Sequence, residues 1–293
     1  MPASSVQYEE PGSISEALEV MARAGAGARF LAGGTDVLPR LRKGLIPRPD
    51  ALINIKRIPD LRGIRLDAAA AEVVVGAAAT FSEILESTLL AERLPLMPAV
   101  SDLIASPQIR NMATIGGNVC NASPAGDMIL PLIVYGARAR AWSLSGGEAA
   151  SRDVMVQDLF SGPGATVLEP GELLGSLHVP LPADGFKAAF RKFRRRPTMD
   201  CAVVHVAAGA VVGDGGALSG VRVAYGAVAP TPLRGTRAEA ALEGKTLDDA
   251  TLDAAGKAAA AEVKPIDDVR AGAEFREQIV PVLLGRALRE VVE

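Results

Sequence analysis

The chain has 293 residues, 49% of them hydrophobic and 22% charged, with a formal net charge of −3. That length holds two or three compact domains, and the lack of a basic excess argues against a nucleic-acid partner. Two cysteines, Cys120 and Cys201, and two histidines, His178 and His205, form no CxxC or Cys/His cluster, so no metal or iron–sulfur site built from this chain is expected.

The start, Met1–Ser5, lacks the basic-then-apolar order of a signal peptide. No apolar run approaches the ~20 residues of a bilayer span. A soluble, cytoplasmic protein is expected. Ser13 and Glu16 form a capping box, and Ile14, Ala17, Leu18 and Met21 share one helix face. Gly25 ends that helix. Residues 29–32 read as a strand, 36–43 as a helical turn and 51–55 as a second strand. Val73–Val75 is a strand, and Thr80 with Glu83 caps a helix running through Leu90. A further helix is expected over 98–105, an apolar helix over 128–135, and strands over 137–143 and 172–179. The last third changes texture. Strands over 203–212 and 221–228 flank a turn at Asp214-Gly215-Gly216, and alanine-rich helices follow over 238–243, 248–262 and from about Gly272 onward. The basic run Arg191–Arg196 reads as a strand end or protein contact.

Two glycine-rich turns carry the chemistry. The first is Ala32-Gly33-Gly34-Thr35-Asp36, and the second is Thr114-Ile115-Gly116-Gly117-Asn118, which leads on to Asp127. Glycine permits positive φ and close approach, so such turns can aim several N–H groups at one point. Thr35, Thr114 and Asn118 can donate to phosphate. Asp127, an acceptor when ionised, suits a ribose hydroxyl or a helix N-cap. Two facing turns of this kind can clamp a pyrophosphate. Neither a Rossmann fingerprint nor a P-loop is present: Phe30 stands where the first needs its third glycine, and Glu239 where the second needs its first. His178 and His205 read as strand residues rather than catalysts, and no nucleophile–base set stands out. Cys120 reads either as a small buried residue or as a neighbour of the ligand.

These blocks, with Gln108-Ile109-Arg110-Asn111, Ala122-Ser123-Pro124, the segment Gly226–Pro232 and the segment Asp268–Arg276, give a pattern that resembles the FAD-binding medium subunit of molybdenum hydroxylases. That family includes xanthine dehydrogenase, carbon monoxide dehydrogenase and 4-hydroxybenzoyl-CoA reductase. The resemblance implies an α+β chain. Two small α/β units (1–58 and 59–181) form a PCMH/VAO-type FAD-binding region, and a C-terminal unit (182–293) carries a three-stranded antiparallel sheet with helices. It further implies FAD held by Ala32, Gly33, Gly34, Thr35, Asp36 and Val37 and by Thr114, Ile115, Gly116, Gly117 and Asn118. Asp127 would lie on the ribose side, Ile104 and Leu174 along the flavin, and Phe190 or Lys192 near its edge. Val203 stands where some relatives carry a flavin-contacting lysine, and the [4Fe–4S] insertion of the reductase branch is absent. The first turn otherwise looks closer to the reductase and xanthine dehydrogenase branches.

The implied activity is electron transfer. Electrons arrive from [2Fe–2S] clusters of a small subunit, after substrate oxidation at molybdopterin in a large subunit. They leave FAD for an external acceptor, in a dimer of heterotrimers. A structural or assembly subunit with weak FAD binding, or a stand-alone flavin oxidoreductase, are the alternatives.

Overall fold

The computed structural model describes residues 6–293; Met1–Ser5, read above for a leader, lies outside the described residues. Strand β1 (Gln7–Glu9), helix α1 (Ile14–Ala24), β2 (Ala28–Leu31), α2 (Val37–Arg42) and β3 (Ala51–Asn54) come first, with the three strands parallel in the order β1-β3-β2. Ser13 Oγ accepts the Glu16 N–H at 3.1 Å, as the capping signature requires. The Glu16 carboxylate, however, takes the N–H of Gly12 at 2.7 Å instead of that of Ser13, one residue beyond the usual box. Ala17, Leu18 and Val20 are buried against Ile53, Ile58 and Leu61.

The middle of the chain holds β4 (Ile64–Asp67), β5 (Glu72–Gly76), α3 (Phe81–Glu86), α4 (Thr88–Arg93), α5 (Leu96–Asp102), α6 (Pro107–Arg110), α7 (Ile115–Cys120) and α8 (Ile129–Val134). Next come β6 (Arg138–Ser145), β7 (Glu148–Met155), the two-stranded hairpin β8 (Phe160–Gly162) and β9 (Ala165–Thr166), and β10 (Leu173–Pro180). The main sheet is antiparallel, in the order β4-β5-β10-β6-β7. Thr80 and Glu83 form a complete capping box. The helix expected to run on through Leu90 is broken at Ser87. Its backbone is extended and its hydroxyl caps α4 by accepting the Leu90 N–H at 3.2 Å, the role in which serine outcompetes helix continuation. Strand β7 carried no readable signal because it is a largely polar edge with no apolar run.

The last part is β11 (Phe186–Phe193), β12 (Val204–Val212), β13 (Leu218–Gly226), β14 (Leu233–Arg234), α9 (Thr236–Leu242), α10 (Asp249–Glu262) and α11 (Ala273–Val292). The expected three-stranded sheet has a fourth, two-residue member: after Pro230-Thr231-Pro232 the chain returns along β13, pairing Leu233 with Tyr225 and Arg234 with Ala224. Strand β11 takes in Arg191 and Lys192, so the basic run begins at a strand end. Both faces of this sheet are covered, as the two-residue strand period allows. Val204, Val206, Ala208, Val223 and Tyr225 pack with Leu283, Leu284 and Leu288 of α11. Phe190, Ala207 and Ala224, which stand side by side across β11, β12 and β13, belong instead to the middle core with α8.

Candidate functional site

The two glycine-rich segments meet because other parts of the chain strap them together. Thr114 bridges to Thr80. The N–H groups of Ile115 and Gly116 donate to the carbonyls of Ala79 and Ala77, both at 2.9 Å, which fixes the start of α7 beside the end of β5. A Cβ on Gly33 would stand 2.0 Å from the Met112 carbonyl oxygen, and one on Gly116 2.6 Å from the Ala77 Cβ. These two glycines are needed because backbones touch there. Of the four glycines, only Gly34 (φ 70°) has positive φ. Arg110 donates to the carbonyls of Asp102 and Ile104 at 2.9 and 3.0 Å. The Gln108–Asn111 block therefore pins the loop that carries Ile104.

The two segments do not offer equal donors. In the second, the N–H groups of residues 115–118 are already used: Ile115 and Gly116 as above, Gly117 on Thr114 Oγ1 at 3.1 Å, and Asn118 on the Thr114 carbonyl at 3.0 Å. The expectation that its backbone N–H groups point at a ligand is thus corrected; it is a capped helix start, closed by Thr114. In the first, the N–H groups of residues 33–37 donate to no group of the chain among the described residues. Five consecutive free donors in a loop entering a helix are an arrangement able to take an anion.

Between the segments lies a cavity of about 620 Å³. Ala32, Gly33, Gly34, Thr35, Asp36, Val37, Ile104, Thr114, Gly116, Gly117, Asn118, Asp127 and Leu174 line it. Ile115, Phe190 and Lys192 do not. Ile115 is fully buried in the middle core, and Phe190 packs edge-on against His205 at 5.7 Å between centroids. Lys192 stands behind the wall, with its Nζ 2.6 Å from Asp127 Oδ2. The N-cap alternative for Asp127 does not apply, since Met128 precedes α8 and no side chain caps it. The lining residues that were not anticipated include Arg29 and Arg40, which bring positive charge, and Cys201. Arg40 carried a weak signal, a cation one turn into the helix that the first glycine turn opens.

Cys120 also lines the cavity. Its thiol is exposed there, so of the two readings of Cys120 the structure gives the neighbour of the cavity and not the buried residue. His178 lies outside the lining. It is a satisfied strand residue, with Nδ1 2.5 Å from Glu72 Oε1 and Nε2 3.0 Å from Ser176 Oγ. Burial raises the Glu72 carboxyl, but His178 and Arg138 outweigh that and hold it below its ordinary range.

The donor set fits a dinucleotide with a pyrophosphate. Free N–H groups, the hydroxyls of Thr35 and Thr114 and two arginines face the cavity. The buried oxygens Asn118 Oδ1 and Asp127 Oδ1 have no hydrogen-bond partner within the chain, as polar atoms awaiting a ligand do. The comparisons agree with this geometry. Residues 4–182 match the family described as "FAD binding domain in molybdopterin dehydrogenase", and residues 188–291 match "CO dehydrogenase flavoprotein C-terminal domain". The chain belongs to the FAD-binding medium-subunit family of molybdenum hydroxylases, a group of oxidoreductase components.

The chain is 37% identical to the carbon monoxide dehydrogenase medium chain of Afipia carboxidovorans, over 98% of this chain and 97% of that one. It is 33% identical to the xanthine dehydrogenase FAD-binding subunit of Escherichia coli O157:H7, over 97% and 95%. Reconstituted CO dehydrogenase from Oligotropha carboxidovorans superposes with a TM-score of 0.93 at 35% identity, covering 100% of this chain and 99% of the other. These identities do not favour the xanthine dehydrogenase branch that the first turn suggested. No described helix is long and apolar enough to cross a membrane.

Proposed function

We propose that this chain is the electron-transfer subunit of a heteromeric molybdenum hydroxylase. In that reading it holds FAD in the cavity, accepts electrons from [2Fe–2S] clusters of a small subunit and passes them to an external acceptor. The observation that carries the reading is the run of five free N–H donors at residues 33–37 facing the capped start of α7 across one cavity. Bound there, FAD supplies chemistry that joins one-electron and two-electron carriers. The chain's own residues bind and orient it. The 33–37 loop with Arg29 and Arg40 neutralises the pyrophosphate, Thr35, Thr114 and Asn118 fix it laterally, and the Asp127 carboxylate accepts from a ribose hydroxyl. Ile104 and Leu174 exclude water along the flavin. No side chain is assigned as acid, base or nucleophile.

The same reading divides the chain at 58 and 181. It expects a cytoplasmic dimer of heterotrimers with a large molybdopterin subunit, in keeping with relatives named as medium chains. Acid release from the purified chain should yield non-covalent FAD near one per chain. No flavin after incubation with FAD would remove the cofactor assignment. In the complex purified with its partners, substrate should bleach the clusters and then the flavin. Clusters that reduce while the flavin stays oxidised would remove the electron-transfer role.

A further inference from the structure

Asp127 belongs to the cavity wall, but its charge is balanced from the C-terminal sheet. Lys192, His205 and Gly226 stand in register across β11, β12 and β13, on the face turned toward α8. Lys192 reaches Asp127 Oδ2 at 2.6 Å, and both side chains are nearly buried, at 4% and 10% exposure. His205, fully buried, places Nδ1 3.4 Å from Asp127 Oδ1, too poorly aimed for a hydrogen bond. The Nε2 end of its ring packs against Gly226, where an added Cβ would come within 1.8 Å of Nε2. The loop that carries Asp127 is tied to the same sheet a second time. The Ala227 N–H, just past β13, donates to the Pro124 carbonyl at 2.7 Å.

We infer that Lys192 is a positioning residue through which FAD binding and the seating of the C-terminal sheet are coupled. This rests on reading the cavity as the FAD site. Without the sheet, Asp127 would be an uncompensated carboxylate at the edge of a site built for an anionic ligand. With it, Lys192 neutralises the charge through Oδ2, and the carboxylate stays in the cavity wall with Oδ1 free of any hydrogen-bond partner within the chain. Coupling of this kind is reciprocal: whatever the sheet adds to FAD affinity, FAD adds to the stability of the seated sheet. His205 stands beside the carboxylate without a hydrogen bond to it.

Two measurements on the full-length chain test this. Hydrogen exchange with and without FAD should show slower exchange of the β11 and β12 amides when FAD is bound. Titration of flavin fluorescence should show Lys192→Met binding FAD more weakly, by roughly 5- to 150-fold. Part of that loss should be recovered in Lys192→Met/Asp127→Asn, which has no buried carboxylate left to compensate. Unchanged β11 and β12 exchange, or Lys192→Met affinity within about twofold of the unmodified chain, overturns the coupling while leaving the FAD assignment intact. Failure of the unmodified chain to bind FAD overturns both. The exchange measurement needs no variant, so it decides the matter if Lys192→Met does not fold.

Discussion

At His205, burial and charge act in opposite directions. Burial disfavours the imidazolium and dominates, Asp127 favours it and Lys192 disfavours it, and the pKa falls to about 4. The unfolded chain titrates this group near 6.5. On acidification the unfolded state therefore takes the proton first. The contribution is full above about pH 6.5 and is lost as pH falls through about 4, on the order of 3 kcal/mol in all. Urea unfolding of the unmodified chain and of His205→Asn at pH 7 and pH 5 isolates this term from the carboxylates that titrate in the same range. The variant should lose clearly less stability between the two; parallel losses would show that His205 is not held neutral. Histidine in a strand was readable from the sequence. Its partner was not, because Asp127 lies 78 positions away and meets it only across the packed faces of two units.

Among the elements, α7 and the 33–37 loop behave differently under substitution. Gly117 has ordinary helical backbone and faces the cavity, and its added Cβ meets only the Thr114 hydroxyl, at 2.9 Å. Gly117→Val should fold with little change in unfolding temperature and bind FAD at least about tenfold more weakly. Normal flavin stoichiometry in that variant would be incompatible with the binding mode. Gly33→Ala should damage the fold itself, because its Cβ meets backbone at Met112 that cannot move without displacing the approach to α7. Chemical denaturation should show a loss of about 2 kcal/mol or more. A folded Gly33→Ala chain of unchanged stability would mean that the two segments are not packed as described.

Across the whole molecule, Arg276 explains a sequence block that the cavity does not use. It is 3% exposed, donates to the carbonyls of Val203 and Ala227 at 2.8 Å each, and pairs with Asp268 at 2.7 Å. It thereby ties α11 to the start of β12 and to the segment that grips Pro124. Arg276→Met should cost about 3 kcal/mol, since two buried carbonyls and a carboxylate lose their partner. A loss below about 1 kcal/mol in denaturant unfolding would show that water replaces it. The Asp268–Arg276 block thus serves assembly of the C-terminal sheet and its helices.

Sequence by itself determined the local matters. The capping signatures at Ser13 and Thr80, the apolar face of α1, the hairpin at Gly215 and the two glycine-rich segments were legible because each rests on residues a few positions apart. The family resemblance added the pairing of those segments around one ligand. Only the tertiary structure decided what depends on distant parts of the chain. Ser87 splits a helix, and β7 pairs as a polar edge. The second segment uses up its own N–H groups on Ala77, Ala79 and Thr114 while the first keeps its donors free. Lys192, expected at the cavity, instead stands behind its wall as the counter-charge of Asp127. Hydrogen-bond satisfaction and charge balance are fixed by which groups meet in space, and sequence spacing does not carry that information.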